Sequence, residues 1–193
     1  MVSVYDVTDE PILDPTYRRL PDHVKASIER LHHEAQTRPR NAIGELEALL
    51  TQYPRLPQLY NYLAIAYSRI GEGEKAEAIA QAGIQVNPDY LFTRLNYAEF
   101  CLHRKEYAKV AEVLDHKFDL HLLYPKRKRF HVSEVVNFMG VVGLYFCETQ
   151  QRDLAQQYYG VLQKLAPNHP ATRRLKRRLS PNLFDRFWAR LRR

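Results

Sequence analysis

The sequence predicts an all-α fold built as a helix-turn-helix solenoid, and three observations carry that reading. One stretch of chain repeats itself with a period of 34 residues, proline and glycine punctuate it at helix-length intervals, and no segment sustains the period-two alternation of a β-strand.

The clearest copy runs from Pro57 to Tyr90. Tyr60, Leu63, Ala64 and Tyr67 fall on one face of a first helix, Gly71 breaks it, Ala76, Ala80 and Gly83 mark a second helix, and Pro88 ends that one. Stepping back by 34 residues places Ala42, Leu49 and Pro54 at matching positions, and stepping forward places Ala98, Tyr107 and Leu114 there. The next copy is displaced by 45 residues instead, with Met139, Val142, Gly143, Phe146, Ala155, Tyr159, Leu162 and Pro167 in register, so the third copy carries 11 additional residues. Small residues such as Ala64, Ala76, Ala98, Gly143 and Ala155 let helix backbones approach, while Tyr60, Tyr67, Phe146 and Tyr159 fill the space between layers.

This spacing, aromatic-x-x-Leu-small-x-x-Tyr then Ala-x-x-x-apolar then Pro, resembles the tetratricopeptide repeat family, with Ala80 small where a larger ring is usual. The resemblance implies a right-handed solenoid over residues 21–169, of about four repeats near 23–56, 57–90, 91–135 and 136–169. Outside the repeats, residues 1–20 read as a flexible acidic N-terminal segment and 170–193 as basic amphipathic helices, for which the resemblance suggests a capping role. The first repeat is the most degenerate, with Ala26, Glu29 and Arg30 where an apolar and small triad is expected.

Composition bounds the rest. With 193 residues and 45% hydrophobic content the chain makes one substantial repeat domain. Cys101 and Cys147 both fall in first helices and read as small buried apolar residues of a reducing compartment. The N-terminus lacks a charged region followed by an apolar one, so no secretory signal is expected. The longest uncharged apolar run, Val135 to Cys147, is 13 residues against the roughly 20 that span a bilayer, and the sequence therefore predicts a cytoplasmic protein.

The net charge of +7 is concentrated rather than spread. Residues 23–124 carry −1 and 136–169 carry zero, whereas 125–135 carry +3 and 170–193 carry +8. The repeats are therefore not a surface that tracks phosphates along its whole face. The two basic elements are Lys126, Arg127, Lys128 and Arg129 in the insertion, and a tail that includes Arg186 and Arg190. The insertion reads as a solvated loop, or as a patch for an acidic partner. In the tail, Leu175 and Leu179 can dock a first helix on the last repeat. Ser180 and Pro181 then begin a second, on which Leu183, Phe184, Phe187, Trp188 and Leu191 form one apolar stripe. That stripe reads first as a cap on the solenoid. It also suits an in-plane helix on anionic membrane, a nucleic-acid contact, or a homo-oligomer joined through the C-terminal helix.

The resemblance places the functional surface on the first helix of each repeat, which lines a concave groove in this family. On this chain the matching positions are Asn61, Ile65, Ser68 and Arg69; Phe92, Asn96, Glu99 and His103; and Asn137, Gly140, Leu144 and Glu148. Asparagines there can donate to and accept from a peptide backbone at once, while Phe92, Ile65 and Leu144 can take apolar side chains. The family's two-carboxylate clamp for chaperone C-termini is not reproduced. Asn96 stands where a clamp asparagine could, but Ser27, Asn61, Leu95 and Gly140 occupy the positions that would need lysine or arginine. An internal peptide, or the chain's own N-terminal segment with Val4, Tyr5, Ile12 and Leu13 as anchors, fits better.

Catalytic and metal chemistry find no support. His32 and His33 are neighbours that point to different helix faces, and the spacing of five between His116 and His121 misses the three or four that aligns ligands on a helix. No glycine-rich phosphate loop or nucleophile elbow occurs. The sequence thus predicts a non-catalytic protein-interaction module or adaptor, without cofactor, that binds a protein or peptide ligand. The alternative is a peripheral membrane or nucleic-acid adaptor working through the basic elements.

Overall fold

Prolines set the starts of several helices. In a computed structural model that describes residues 5–180, Pro15, Pro39, Pro57 and Pro170 each sit in the first turn of a helix, where the missing amide would be unsatisfied anyway. The described chain is an all-α helical repeat fold with one short strand pair. Cα proximity divides it into two compact units, Glu10–Cys101 and Met1–Asp9 with Leu102–Arg193.

The first unit holds α1 (Pro15–Arg18), α2 (Asp22–Thr37), α3 (Pro39–Gln52), α4 (Pro57–Arg69), α5 (Gly73–Val86) and most of α6 (Leu91–His103). From α2 to α5 each helix packs on its chain neighbour, and α2 also packs on α4, so these two first helices lie side by side. The small residues expected at close approaches are there: Ala42, Ala76, Ala80 and Ala98 are each fully buried. At Gly83 a Cβ would stand 2.7 Å from Thr93 Cγ2 and 2.9 Å from Tyr60 Cβ, so α5 can approach α4 and α6 only without a side chain there.

The first repeat departs from the expected register. Ala26, Glu29 and Arg30 are exposed, and α2 instead buries Val24, Ile28, Leu31 and Ala35. Val24, Ile28 and Leu31 precede Tyr60, Ala64 and Tyr67 by 36 residues, whereas Ala42 precedes Ala76 by 34. The two-residue difference is absorbed in the link. Only Arg38 separates α2 from α3, while Ile70, Gly71 and Glu72 separate α4 from α5. The apolar face decides which way a helix turns, and the link adjusts to it.

The other repeats share one turn conformation. Gly71 (φ 84°), Lys105 (φ 61°) and Gln150 (φ 64°) are all left-handed, and their separations, 34 and 45, are the repeat offsets themselves. The same wide turn bond follows, from Glu72 N to Tyr67 O at 3.0 Å and from Gln151 N to Phe146 O at 2.8 Å.

The second unit contains α7 (Tyr107–Val113), α8 (Leu120–Leu123), α9 (Val132–Glu148), α10 (Arg152–Leu165) and α11 (Pro170–Leu179), with strands β1 (Asp6–Thr8) and β2 (Arg129–His131). Helices α9 and α10 form the fourth hairpin, and α11 packs on both. Gly140 and Gly143 admit it: a Cβ at Gly140 would lie 2.7 Å from that of Ala171, and one at Gly143 2.5 Å from Leu175 Cδ2.

The insertion is folded rather than a solvated loop. Asp115 and His116 turn the chain through left-handed conformations after the short α7. Phe118 then stacks on Tyr145 at 5.0 Å, and its carbonyl accepts from the Tyr158 hydroxyl. Phe130 is fully buried and anchors the end of the segment. The N-terminal segment contributes a strand and a short helix among the described residues. Strand β1 pairs in parallel with β2, in the register Asp6–Arg129, Val7–Phe130 and Thr8–His131, and the Tyr5 ring meets Phe130 edge-on at 5.0 Å. Aromatic burial supplies what a three-residue strand pair cannot supply alone.

Candidate protein-binding surface

In the first unit the groove positions of α4 and α6 come together. The Asn96 Nδ2 donates to Asn61 Oδ1 at 2.8 Å, and Asn61 is only 7% exposed. Ile65 and Phe92 are half-buried beside them in sequence register, and Phe92 contacts the Tyr90 ring at 5.7 Å. Ser68, Arg69 and Glu99 are exposed. Next to Asn61 on α4, Tyr62 stacks on His32 at 4.7 Å, and burial pushes the Tyr62 hydroxyl up to about 12. The Tyr67 hydroxyl donates to Glu47 at 2.5 Å, which ties α4 to α3.

In the second unit the expected groove positions separate into different roles. Asn137 Nδ2 donates to Ser133 O at 2.7 Å, a local bond one turn back along α9. Gly140 lies under Ala171 of α11 and is not an open groove position. His103 is exposed, Leu144 is 5% exposed, and both line a pocket of about 260 Å³ with Lys105, Glu148, Arg174 and Arg178. Glu148 accepts from Arg178 Nε at 2.5 Å and from the Tyr107 hydroxyl at 3.4 Å. The Arg178 hydrogen bond holds the Glu148 carboxyl below the usual carboxylate range. Lys105 and Arg174 were not among the groove positions, because the repeat pattern does not say which residues α11 brings over α9.

The four basic residues of the insertion differ in their surroundings. Arg127 makes a two-pronged bond to Glu134, at 2.9 and 2.8 Å, and its guanidinium lies 4.2 Å from the centre of the Phe130 ring. Glu134 also accepts from the His131 amide at 3.0 Å, so one carboxylate caps α9 and holds Arg127. Lys126, Lys128 and Arg129 are exposed, and the Lys128 carbonyl accepts from the Asp6 amide. Arg186 and Arg190, with the stripe from Leu183 to Leu191, lie outside the described residues.

Among the described residues no group of three or more His, Cys, Asp or Glu side chains is gathered as metal ligands would be. His131 Nδ1 caps α9 by accepting from the Ser133 amide at 3.2 Å. Cys101 is buried and Cys147 half-buried, and the two are not joined in a disulfide. Among the described residues no helix is long and apolar enough to cross a membrane.

Comparison with known proteins agrees with the repeat geometry at a coarse level. No family model matches the chain, and no solved structure matches it. The chain is 29% identical over 143 residues, 72% of its length, to the TPR repeat-containing protein YvcD of Bacillus subtilis, and spans 28% of that protein's length. This distant likeness, together with consecutive helical hairpins sharing one left-handed turn position, points to a TPR-like family.

Proposed function

We propose that this chain is a non-catalytic protein-interaction module, an adaptor that holds an extended segment of a partner protein against the first helices of its repeats. The observation that carries the reading is the amide pair Asn61 and Asn96. Their mutual bond uses one acceptor and one donor. It leaves the Asn61 amide nitrogen and the Asn96 carbonyl adjacent, a donor and an acceptor matched to the alternating groups of a peptide backbone. Phe92 and Ile65, half-buried, supply apolar contact on either side in the register. The distant relative's name supports the same reading.

The test is affinity capture from native lysate with wild type and an Asn96→Ala/Phe92→Ala variant, matched for helicity by circular dichroism. Proteins retained by wild type and lost by the variant identify the ligand, and identical captures from both refute the reading.

A second reading rests on α11. Thr172 and Leu175 turn inward, and Arg173, Lys176 and Arg177 are exposed. That face suits an anionic surface, either a nucleic acid or an anionic membrane, and counterion release makes its affinity fall steeply with salt. Co-sedimentation with anionic liposomes and retention on heparin, each across a salt series, test it. Flat salt profiles would remove it.

A further inference from the structure

The buried face of α2 fixes which of its residues stand at groove positions. By the 36-residue offset that this face obeys, Glu29 stands where Ile65 stands on α4, and His32 where Ser68 stands. Both are exposed, and at a separation of three they share one side of the helix. From α1, a turn of helix that no repeat position requires, the Tyr17 hydroxyl donates to Glu29 Oε1 at 3.2 Å. Tyr62, next to Asn61, packs its ring on the core and stacks on His32 at 4.7 Å. The charge of Glu29 also bears on the Tyr62 hydroxyl and helps to hold its proton, so the two groups are neighbours. All these residues belong to the first unit, with Asn61 and Asn96.

The carboxylate in this cluster lacks a counter-ion. Glu29 accepts from a neutral phenol, and among the described residues no lysine or arginine pairs with it. Lys25, one turn back on α2, is bound to Asp22 at 3.2 Å, and Arg30 to Glu34 and Glu45 at 2.9 and 2.6 Å. Burial holds the His32 imidazole below its ordinary range, so at neutral pH the ring adds no positive charge. The Tyr62 hydroxyl makes no hydrogen bond among the described residues, and the Tyr17 oxygen keeps its lone pairs after donating. We propose that this cluster receives a basic side chain, lysine or arginine, of the segment held along the first helices, with Glu29 as its counter-ion and the Tyr17 and Tyr62 oxygens as further acceptors. The inference rests on the interaction-module reading and gives the partner its chemistry. Because Tyr62 follows Asn61 directly, the basic residue falls at a fixed spacing from the stretch whose backbone meets Asn61 and Asn96.

The probe is a phage-displayed library of random dodecapeptides, selected on the immobilised full chain. Wild type should enrich peptides with a lysine or arginine at a fixed spacing from an apolar residue. Glu29→Gln keeps an acceptor for the Tyr17 hydroxyl while removing the charge, and should lose the basic position. Glu74→Gln removes an exposed carboxylate from α5, a second helix, and should retain it. The most enriched peptide is then made with a fluorescein label and an acetylated N-terminus, so that its only cation is the side chain. By anisotropy it should bind Glu29→Gln about fivefold or more weakly than wild type, and Tyr62→Phe, which keeps the stack on His32, about twofold more weakly. The proposal is overturned if wild type enriches no basic position, if Glu29→Gln retains it, or if Glu74→Gln loses it equally. It is also overturned if a synthetic peptide of residues 181–193 displaces the probe as readily as unlabelled probe does, which assigns the site to the chain's own basic tail. If any of these occurs while the selected peptides still depend on Asn96 and Phe92, the cluster assignment fails alone and the module reading stands. If no selected peptide depends on Asn96 and Phe92, both fall.

Discussion

Replacing Gly140 by alanine sets two physical effects of opposite sign against each other. Inside a helix, Gly→Ala stabilises by about 0.5–1 kcal/mol, because alanine has less backbone entropy to lose. At Gly140 the new Cβ would stand 2.7 Å from Ala171 Cβ, inside van der Waals contact. Both atoms are bonded directly to backbone, so neither can rotate aside and α11 must shift. Overpacking of this kind costs about 1–3 kcal/mol, and the variant should be less stable by roughly 1 kcal/mol. In an Ala171→Gly background the nearest remaining neighbour, the Cα at 3.7 Å, is an ordinary contact. There Gly140→Ala should become stabilising. The two substitutions should therefore couple by about 1–3 kcal/mol, well above the few tenths expected for independent sites. Gly160→Ala on α10, with nothing within 4 Å of its added Cβ, is the control and should simply stabilise. Guanidinium denaturation gives the stabilities, and amide exchange along Ala171–Leu179 shows whether the loss is local to α11. The reasoning is refuted if Gly140→Ala stabilises as Gly160→Ala does, or if its effect is the same in both backgrounds.

Gly71→Ala should destabilise the first unit by about 1 kcal/mol, because alanine is strained at φ 84°, whereas Gln150→Gly should be neutral or stabilising by up to about 1 kcal/mol; thermal melts of the two variants check the opposite signs. Glu148 has a folded-state pKa below its unfolded value, so its contribution is fully present above the unfolded value and is lost as pH falls through the folded one. Exchange protection of α11 should therefore drop more steeply below about pH 4.5 in wild type than in Glu148→Gln, and parallel profiles would contradict the assignment.

Much of the helical frame is legible in the chain because it is specified locally. The offsets of 34 and 45 residues reappear as the spacing of three left-handed turns, since the turn conformation follows from where each first helix ends. The face of α2 is a subtler case. Extrapolating the 34-residue period onto Ala26, Glu29 and Arg30 misplaced it. The helix's own apolar positions, Val24, Ile28 and Leu31, held the answer, and a period is a weaker guide than the burial it summarises.

The insertion shows the other limit. Its basic residues look alike in sequence, yet Arg127 is held by Glu134 and two aromatic rings while Lys126 and Lys128 face solvent. The pairing of Asp6–Thr8 with Arg129–His131 joins segments more than a hundred residues apart through three residues each. Strands that short leave no alternation to detect.

The sequence by itself determined the helical class, the repeat offsets from the second copy onward and the segregation of charge, because hydrogen bonds within a helix and the residues that start and stop it are close along the chain. Only the tertiary structure decided which side chains share a site. Lys105, Glu148 and Arg174 are dispersed over some seventy positions yet line one pocket, and Arg174 reaches Glu148's side of it because two glycines of α9 let α11 settle there. A contact of that kind depends on the separation and rotation of packed helices, which the local pattern of either helix does not specify.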